Sequence, residues 1–257
     1  MTIPTVRLNT GAQMPALGLG TWKMSETGEA EAAVSSAIQA GYRLIDTAKL
    51  YGNESSVGKA VRESGVPREE LFVTTKLWPT DFFDPESGFE TSFGKLDIGY
   101  VDLYLIHWPV PMMPKSVWRA LEKIYKSGKA RAIGVSNFDV DDIKKLLDYA
   151  EIAPAVNQIK FSPFDFEKDT LAYCTEHGII VEAYSPLTRG SNLGDSTVGA
   201  IAKKHGKSPA QIMLRWCIEH GTVPLPKSSN PERMRENMEI FDFKLSDEDI
   251  QALDALS

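Results

Sequence analysis

Three stretches of the 257-residue chain run from apolar residues straight into ionisable ones. LIDTAKLYGNE, over Leu44–Glu54, delivers Asp46 and then Tyr51, LFVTTK ends in Lys76, and VDLYLIH ends in His107. These four side-chain types make a proton-transfer set. A phenol, with a pKa of about 10, is a reluctant acid and becomes useful when a neighbouring cation stabilises its anion. Lys76 can be that cation. A lysine buried near such a site tends to lose its proton, so a carboxylate is needed to hold it charged and oriented, and Asp46 is the candidate. His107, as a neutral donor, can orient a carbonyl oxygen and stabilise negative charge developing on it. As the acid itself, His107 fits less well in an apolar pocket beside Lys76. The bland reading is a structural Asp46–Lys76 ion pair with Tyr51 at the surface, which leaves both Tyr51 and His107 unexplained.

Such a set works only if a scaffold brings the three strand ends together. After TVRLNTGAQMPAL, two short alternating runs around Asn-Thr-Gly that read as a β-hairpin, strand and helix patterns alternate. The strands are LGLGT, YRLIDT, LFVTTK, VDLYLIH, ARAIGVS, PAVNQI, IIVEAYS and TVPLPK. Between them lie the helical patterns GEAEAAVSSAIQAG, ESSVGKAVRESG, PESGFETSFGKLD, SVWRALEKIYKSG, VDDIKKLLDYA, DTLAYCTEHG and SPAQIMLRWCIEHG. Short apolar runs rich in β-branched residues are the pattern of strands buried on both faces. Eight of them alternating with helices predict an α/β fold of the (β/α)8 TIM-barrel type, with the hairpin capping its bottom. A doubly wound sheet would want G-x-G-x-x-G after an early strand, and GLGTWKM lacks the third glycine. The tail SNPERMRENMEIFDFKLSDEDIQALDALS adds further C-terminal helices, the last capped by Ser246 with Asp249 three residues on. No linker or low-complexity run interrupts this, so residues 1–257 read as one domain.

The parallel arrangement collects polar groups at the exits of the strands. Trp22 follows the first, Asp46 the second and Lys76 the third, and His107 with Trp108 follows the fourth. Ser136 and Asn137 follow the fifth, Gln158 closes the sixth, Tyr184 and Ser185 the seventh, and Lys227 and Ser228 the eighth. Singly, each has an ordinary structural explanation; jointly, chance would scatter such groups to the strand starts as well. A net charge of -7 argues against a nucleic-acid or anionic-membrane surface. The N-terminus lacks a signal-peptide pattern and no window is long enough to span a bilayer, which places the protein in the cytosol. Cys174 and Cys217 lie in helical patterns without metal-ligand spacing and read as reduced, buried and structural. His177, His205 and His220 each precede Gly at a helix end and read as capping or surface residues.

The segments DTAKLYGNE, TTKLW, LIHWP, IGVSNF, AYSPL and PKSSNPERMREN, in this order, resemble the signatures of the aldo-keto reductase superfamily across nearly the whole chain. The form is that of its short-loop bacterial members, similar to the diketogluconate reductase-like enzymes. The resemblance implies a monomeric barrel that reduces aldehydes or ketones with NADPH, without a metal, and it carries the family's catalytic tetrad onto Asp46, Tyr51, Lys76 and His107. Hydride addition to a carbonyl leaves an alkoxide, which the phenol would protonate.

The cofactor side follows from the same residues. A nicotinamide needs an aromatic face and hydrogen bonds to its carboxamide, which Tyr184 with Ser136, Asn137 and Gln158 can supply, and these are the family's positions too. The pyrophosphate would pass Ser185 and Leu187 toward the last strand. There Lys227 and Ser228 precede a helix opened by Asn230 and Pro231, with Arg233 in its first turn, a setting suited to a phosphate dianion. In the family these positions clasp the 2′-phosphate, so NADPH is expected over NADH. Asn237 would contact the adenine and Glu236 would brace the segment, although Arg233 could instead pair with Glu232 or Glu236 on its own helix. The resemblance adds Gly20, Thr21, Asp46 and Ser229 to the cofactor contacts.

Two features depart from the family pattern. Where many relatives have N-Q-x-E-x-H-P, this chain has NQIKFSP, with Lys160 and Ser162, which puts the local ion pairing under the cofactor in doubt while keeping Gln158. The chain also ends soon after its final helix and the loop WPVPMMPKS is short, so the substrate pocket is expected to be open. With Trp22, Trp78 and Trp108 as apolar walls, it should accept small aldehydes and α-dicarbonyls broadly, with ketones and keto sugars as further candidates. Met112 and Met113 could line its mouth or be idle. Two other classes stay open at this level. One is a nucleotide-binding subunit that has lost turnover. The other is an unrelated barrel enzyme, for which this chain offers few metal ligands at strand ends.

Overall fold

The computed structural model describes residues 3–257. A two-stranded hairpin, β1 (Thr5–Arg7) and β2 (Gln13–Pro15), pairs Val6 with Met14 in antiparallel register. The barrel strands then follow in chain order: β3 (Gly18–Gly20), β4 (Leu44–Asp46), β5 (Phe72–Leu77), β6 (Leu103–Ile106), β7 (Ile133–Ser136), β8 (Val156–Lys160), β9 (Ile180–Tyr184) and β10 (Val223–Leu225). Each pairs in parallel with the next. The seam between β3 and β10 is drawn together by the Gly20 amide, which donates to the Pro226 carbonyl at 3.1 Å. Glycine is required at this seam. A Cβ on Gly20 would stand 3.0 Å from the Leu225 carbonyl oxygen, and one on Gly18 would overlap the Leu44 Cγ at 2.5 Å.

Three-residue strands such as LID and VPL are buried throughout, as strands covered on both faces must be. Leu8 and Met14 from the hairpin join Leu44, Phe72, Leu103, Val156 and Val223 in a separate apolar cluster. These residues stand at or near the starts of their strands, so the hairpin seals the barrel floor as expected. Truncating fully buried Met14 to Ala would cost about 2–5 kcal/mol. The larger core lies between strands and helices, with Trp118 and Trp216 among its largest fully buried side chains.

The helices are α1 (Glu29–Ala40), α2 (Glu54–Arg62), α3 (Pro85–Leu96), α4 (Lys115–Lys126), α5 (Val140–Leu147), α6 (Lys168–Glu176), α7 (Ser196–His205), α8 (Pro209–Glu219), α9 (Pro231–Met238) and α10 (Asp247–Asp254). Local sequence places several of their ends. Asp84 and Asn230 cap α3 and α9, each followed by Pro at the first helical position. Ser246 and Asp249 form the expected capping box of α10, and Ser208 with Gln211 forms another on α8. The helix α7, anticipated only through His205 before Gly206 at a helix end, adds to the alternation read from the sequence, so the β9–β10 connection carries two helices instead of one.

His205 and His220 do sit at helix ends, but each also turns onto α10. His205 Nε2 lies 2.8 Å from Asp249 Oδ2, and His220 Nε2 lies 2.9 Å from Asp254 Oδ1. His177 is exposed; its Nδ1 lies 2.9 Å from the Tyr173 carbonyl one turn back, and its ring stacks on that of Tyr173 at 4.1 Å between centroids. Cys174 and Cys217 are buried and unpaired, and burial pushes the Cys174 thiol up to about 11, which keeps it protonated. Among the described residues no helix is long and apolar enough to cross a membrane.

Candidate active site

The ends of β4, β5 and β6 set Asp46, Lys76 and His107 side by side, and the loop leaving β4 folds Tyr51 back over them. That loop makes a short 3-10 turn over Lys49–Tyr51 and reverses at Gly52, whose φ of 68° suits glycine. Asn53, fully buried, anchors it. Its Oδ1 accepts from the Thr47 hydroxyl at 2.7 Å, and its Nδ2 donates to the Thr21 and Met24 carbonyls, each at 3.0 Å. The Tyr51 loop is thereby tied to the end of β3.

Lys76 has no solvent exposure. Its Nζ lies 2.8 and 2.7 Å from the two Asp46 oxygens, 2.9 Å from the Thr47 carbonyl and 3.2 Å from the Tyr51 hydroxyl. All three ammonium hydrogens therefore have partners. Burial alone would strip its proton, but the Asp46 carboxylate and the Tyr51 oxygen hold Lys76 above its ordinary value, so it is charged. Burial pushes the Tyr51 phenol up to about 12 even though Lys76 pulls the other way. This departs from the expectation that Lys76 makes Tyr51 more acidic than usual: desolvation of the phenolate outweighs the cation. At neutral pH Tyr51 is a protonated donor whose hydroxyl is already fixed in place.

His107 closes the set. Its ring meets Tyr51 edge-on at 5.6 Å between centroids and Trp78 at 5.0 Å. Burial, then Lys76, lowers it to about 3, which makes the imidazole neutral as expected. Its Nδ1 is buried without a partner among the described residues, so a proton there would be stranded. The proton belongs on Nε2, the ring nitrogen left to the cavity that His107 lines.

Sheet register assembles the next group. Ser136 aligns with Gln158, and Gln158 with Glu182. The Ser136 hydroxyl donates to the Gln158 carbonyl at 2.8 Å, while Asn137 Nδ2 donates to Ser136 Oγ and to the His107 carbonyl, both at 3.0 Å. The Tyr184 hydroxyl donates to Asn137 Oδ1 at 2.9 Å and thereby sets its ring orientation. Asn137 and Ser185 hold left-handed backbone conformations, φ 63° and 53°, as non-glycine residues at functional sites often do. What these side chains leave open toward the cavity are acceptor lone pairs, which match the N–H2 end of a carboxamide.

One cavity of about 840 Å³ joins all of this. At one end its walls are Trp22, Trp78, Trp108 and Leu50 around Tyr51 and His107; at the other it is lined by Lys227, Ser228, Arg233, Glu236 and Asn237. Gly20, Asp46, Ser136, Asn137, Gln158, Tyr184, Ser185 and Leu187 line the stretch between. Arg233 makes no ion pair among the described residues, with Glu232 and Glu236 included, whereas Lys227 lies 3.5 Å from Glu29. Three expected contacts do not line the cavity. Thr21 is buried behind it with its hydroxyl on the Asp46 carbonyl at 2.9 Å. Asn230 has its side-chain oxygen committed to the amides of Glu232 and Arg233 as the cap of α9, and Ser229 lies outside the lining.

The structure also brings in residues not singled out in the sequence. Lys23 and Arg189 add two cations to the lining. Arg189 follows AYSPL by only two residues, and its φ of 55° marks a constrained turn. Glu182 is fully buried beneath Gln158, and the signal for it was available: a lone carboxylate inside the apolar strand IIVEAY. Met112 and Met113 border a separate recess with Phe138 and Tyr149 and leave the main cavity untouched. Lys160 is exposed and points off the cavity; its Nζ pairs with Asp165 at 2.6 Å, and the Ser162 hydroxyl donates to the same carboxylate at 2.9 Å. Lys160 and Ser162 are thus both engaged by Asp165, outside the cavity lining.

Residues 16–257 match the model of the aldo/keto reductase family. The glyoxal reductase of Bacillus subtilis is 50% identical over 255 residues, covering 98% of this chain and 92% of that protein. The methylglyoxal reductase DkgA of Yersinia pestis is 44% identical over 257 residues, covering 98% of this chain and 92% of its own length. Among solved structures, an aldo-keto reductase of Bombyx mori in complex with NADP superposes with a TM-score of 0.93 at 37% identity, covering 100% of this chain and 93% of that one.

Proposed function

Because the chain belongs to the aldo/keto reductase family, we propose that it reduces small aldehydes and α-dicarbonyls, with keto sugars at the edge of its range, using NADPH and Tyr51 as proton donor. The observation that carries this reading is the Lys76 ammonium held between the Asp46 carboxylate and the Tyr51 hydroxyl, with neutral His107 beside it and a cavity running from there to Arg233. The names of the glyoxal and methylglyoxal reductases support dicarbonyl substrates, and the Bombyx mori complex supports an NADP-type cofactor.

When bound, a reduced nicotinamide supplies the hydride. The protein's own residues do the rest. Gln158, Ser136 and Asn137 offer acceptors for the carboxamide, and the Tyr184 ring offers a flat face. Arg189 and Lys23 are suited to the pyrophosphate. Lys227 and Arg233, at the start of α9, are suited to a 2′-phosphate, which favours NADPH over NADH. His107 Nε2–H and the Tyr51 hydroxyl converge on the carbonyl oxygen, polarising it in the ground state and binding the alkoxide more tightly as charge grows. Tyr51 gives up its proton to that alkoxide, a much stronger base than a phenolate, and Lys76 balances the charge left on the phenol oxygen.

The aromatic walls suit uncharged substrates. Lys49, next to Leu50 of the lining, is already paired with Asp81. A cytosolic, monomeric state is part of the same reading, with size-exclusion chromatography as its check. The deciding experiment is loss of NADPH absorbance with a panel of aldehydes, dicarbonyls and keto sugars, with NADH in parallel. Turnover with glyoxal-like substrates is expected; binding of NADPH without turnover on any of them would favour the non-catalytic subunit instead.

A further inference from the structure

Two carboxylates and one ammonium lie inside the barrel beneath the site. Asp46 and Lys76 are paired, and the hydrogens of Lys76 are already committed to Asp46, Thr47 and Tyr51. Glu182, from β9, is the acid left over. It is fully buried, its sheet neighbours are Gln158 on β8 and Val223 on β10, and the charged groups acting on it are Asp46 from β4 and Lys76 from β5. Its Oε2 accepts from Gln158 Nε2 at 2.8 Å, and that same nitrogen donates to Asp46 Oδ2 at 2.9 Å. Its Oε1 has no partner among the described residues.

An amide nitrogen carries two hydrogens, and here each goes to a carboxyl oxygen, one of Asp46 and one of Glu182. The oxygen of Gln158 is then the end that faces the cavity. Rotating the amide by half a turn would set that oxygen against the Asp46 carboxylate and break both bonds. We propose, resting on the cofactor reading above, that Glu182 is a positioning residue for the nicotinamide pocket. With Asp46 it takes up both amide hydrogens of Gln158 and fixes that side chain with its oxygen outward, as acceptor for a carboxamide N–H. Asp46 alone would leave one amide hydrogen unpartnered and the side chain free to turn.

The second consequence is electrostatic. Without a cation of its own, Glu182 keeps its proton: burial, then Asp46, raises it to about 8. Ionisation above that point places a second negative charge under the ring. An oxidised nicotinamide is cationic and a reduced one is neutral, so the ionised form favours NADP+ over NADPH.

The test compares the wild type with Glu182→Leu and Glu182→Gln by tryptophan-fluorescence titration with NADP+, NADPH and adenosine 2′,5′-bisphosphate, which lacks the nicotinamide. Glu182→Leu should weaken both dinucleotides about tenfold or more through the lost acceptor, and leave the bisphosphate within about twofold. Glu182→Gln, which still offers an amide oxygen to Gln158, should bind both dinucleotides nearly as the wild type does at neutral pH. In the wild type the preference for NADP+ over NADPH should rise by about tenfold from pH 7 to pH 9, and in Glu182→Gln it should stay flat. Unchanged dinucleotide binding in Glu182→Leu, or equal weakening of the bisphosphate, overturns the proposal. Should the leucine variant not fold, the pH series decides, and an identical trend in wild type and Glu182→Gln overturns it. A wild type that bound the bisphosphate and neither dinucleotide, or none of the three, would bring down the cofactor reading on which the proposal stands.

Discussion

The Tyr51 hydroxyl accepts a hydrogen bond from the Lys76 ammonium at 3.2 Å, in a pocket dry enough that burial dominates the phenol's acidity. The cation therefore fixes the hydroxyl without ionising the phenol and, in the proposed mechanism, would balance the charge that proton transfer leaves behind. Tyr51→Phe removes the proton while keeping the ring against Trp22 at 4.8 Å. Turnover should fall on the order of 10²–10⁴-fold with the dissociation constant for NADPH within about twofold. Near-normal rates in steady-state assays would show that another group supplies the proton.

In the proposed reading Lys227 and Arg233, which line the cavity, hold the 2′-phosphate, and Arg233 has no ion pair among the described residues to compete for it. Arg233→Ala should raise the dissociation constant for NADPH about 10–100-fold and that for NADH no more than about twofold. Fluorescence titration of the two cofactors checks this, and equal weakening of both would remove the phosphate contact from the account.

Glu182 also makes a prediction about stability. Its folded-state value lies near 8, above the ordinary 4.5 of an unfolded glutamate. Between these values the folded chain holds a proton that the unfolded chain has released, so rising pH favours unfolding. The stabilising contribution is complete below 4.5 and is lost as pH climbs to about 8. Glu182→Gln carries no such loss. Its melting temperature relative to the wild type should rise steadily from pH 5 to pH 8, by an amount on the order of a few kcal/mol in free energy. A pH-independent difference in thermal melts would mean that Glu182 is ionised in the folded protein.

Asp254 ties the last helix to the barrel. Its Oδ1 accepts from the Trp216 indole at 2.7 Å and lies 2.9 Å from His220 Nε2. Asp254→Ala strands an N–H on a fully buried tryptophan and should cost about 1–3 kcal/mol in urea unfolding, with kcat unchanged because the cavity is not touched. Wild-type stability in this variant would show that water or a shifted helix satisfies the indole.

Much of this protein was legible from residue type and local pattern. Asp46, Lys76 and His107 announce themselves because ionisable residues at the ends of strands buried on both faces collect at one end of a parallel barrel. Ser246 with Asp249, and Asn230 before Pro231, mark helix starts because a cap is satisfied within its own turn. Gln158 and Tyr184, which line the cavity, likewise stand out from their motifs at strand ends. What depended on several strands at once was not legible in this way. The elevated Tyr51 arises from burial that only barrel closure creates, and that burial outweighs the lowering expected of Lys76. Lys160 found Asp165, and the Asn230 side chain turned to the amides of α9, because nearest geometry outranks motif position. Glu182 and Asp46 are far apart in sequence yet share the amide of Gln158, since register across β8 and β9 and the curvature of the barrel bring them to one nitrogen. Side-chain identity and periodicity are local properties that a sequence carries outright. Desolvation and charge balance belong to the volume the strands enclose, and only the folded barrel determines them.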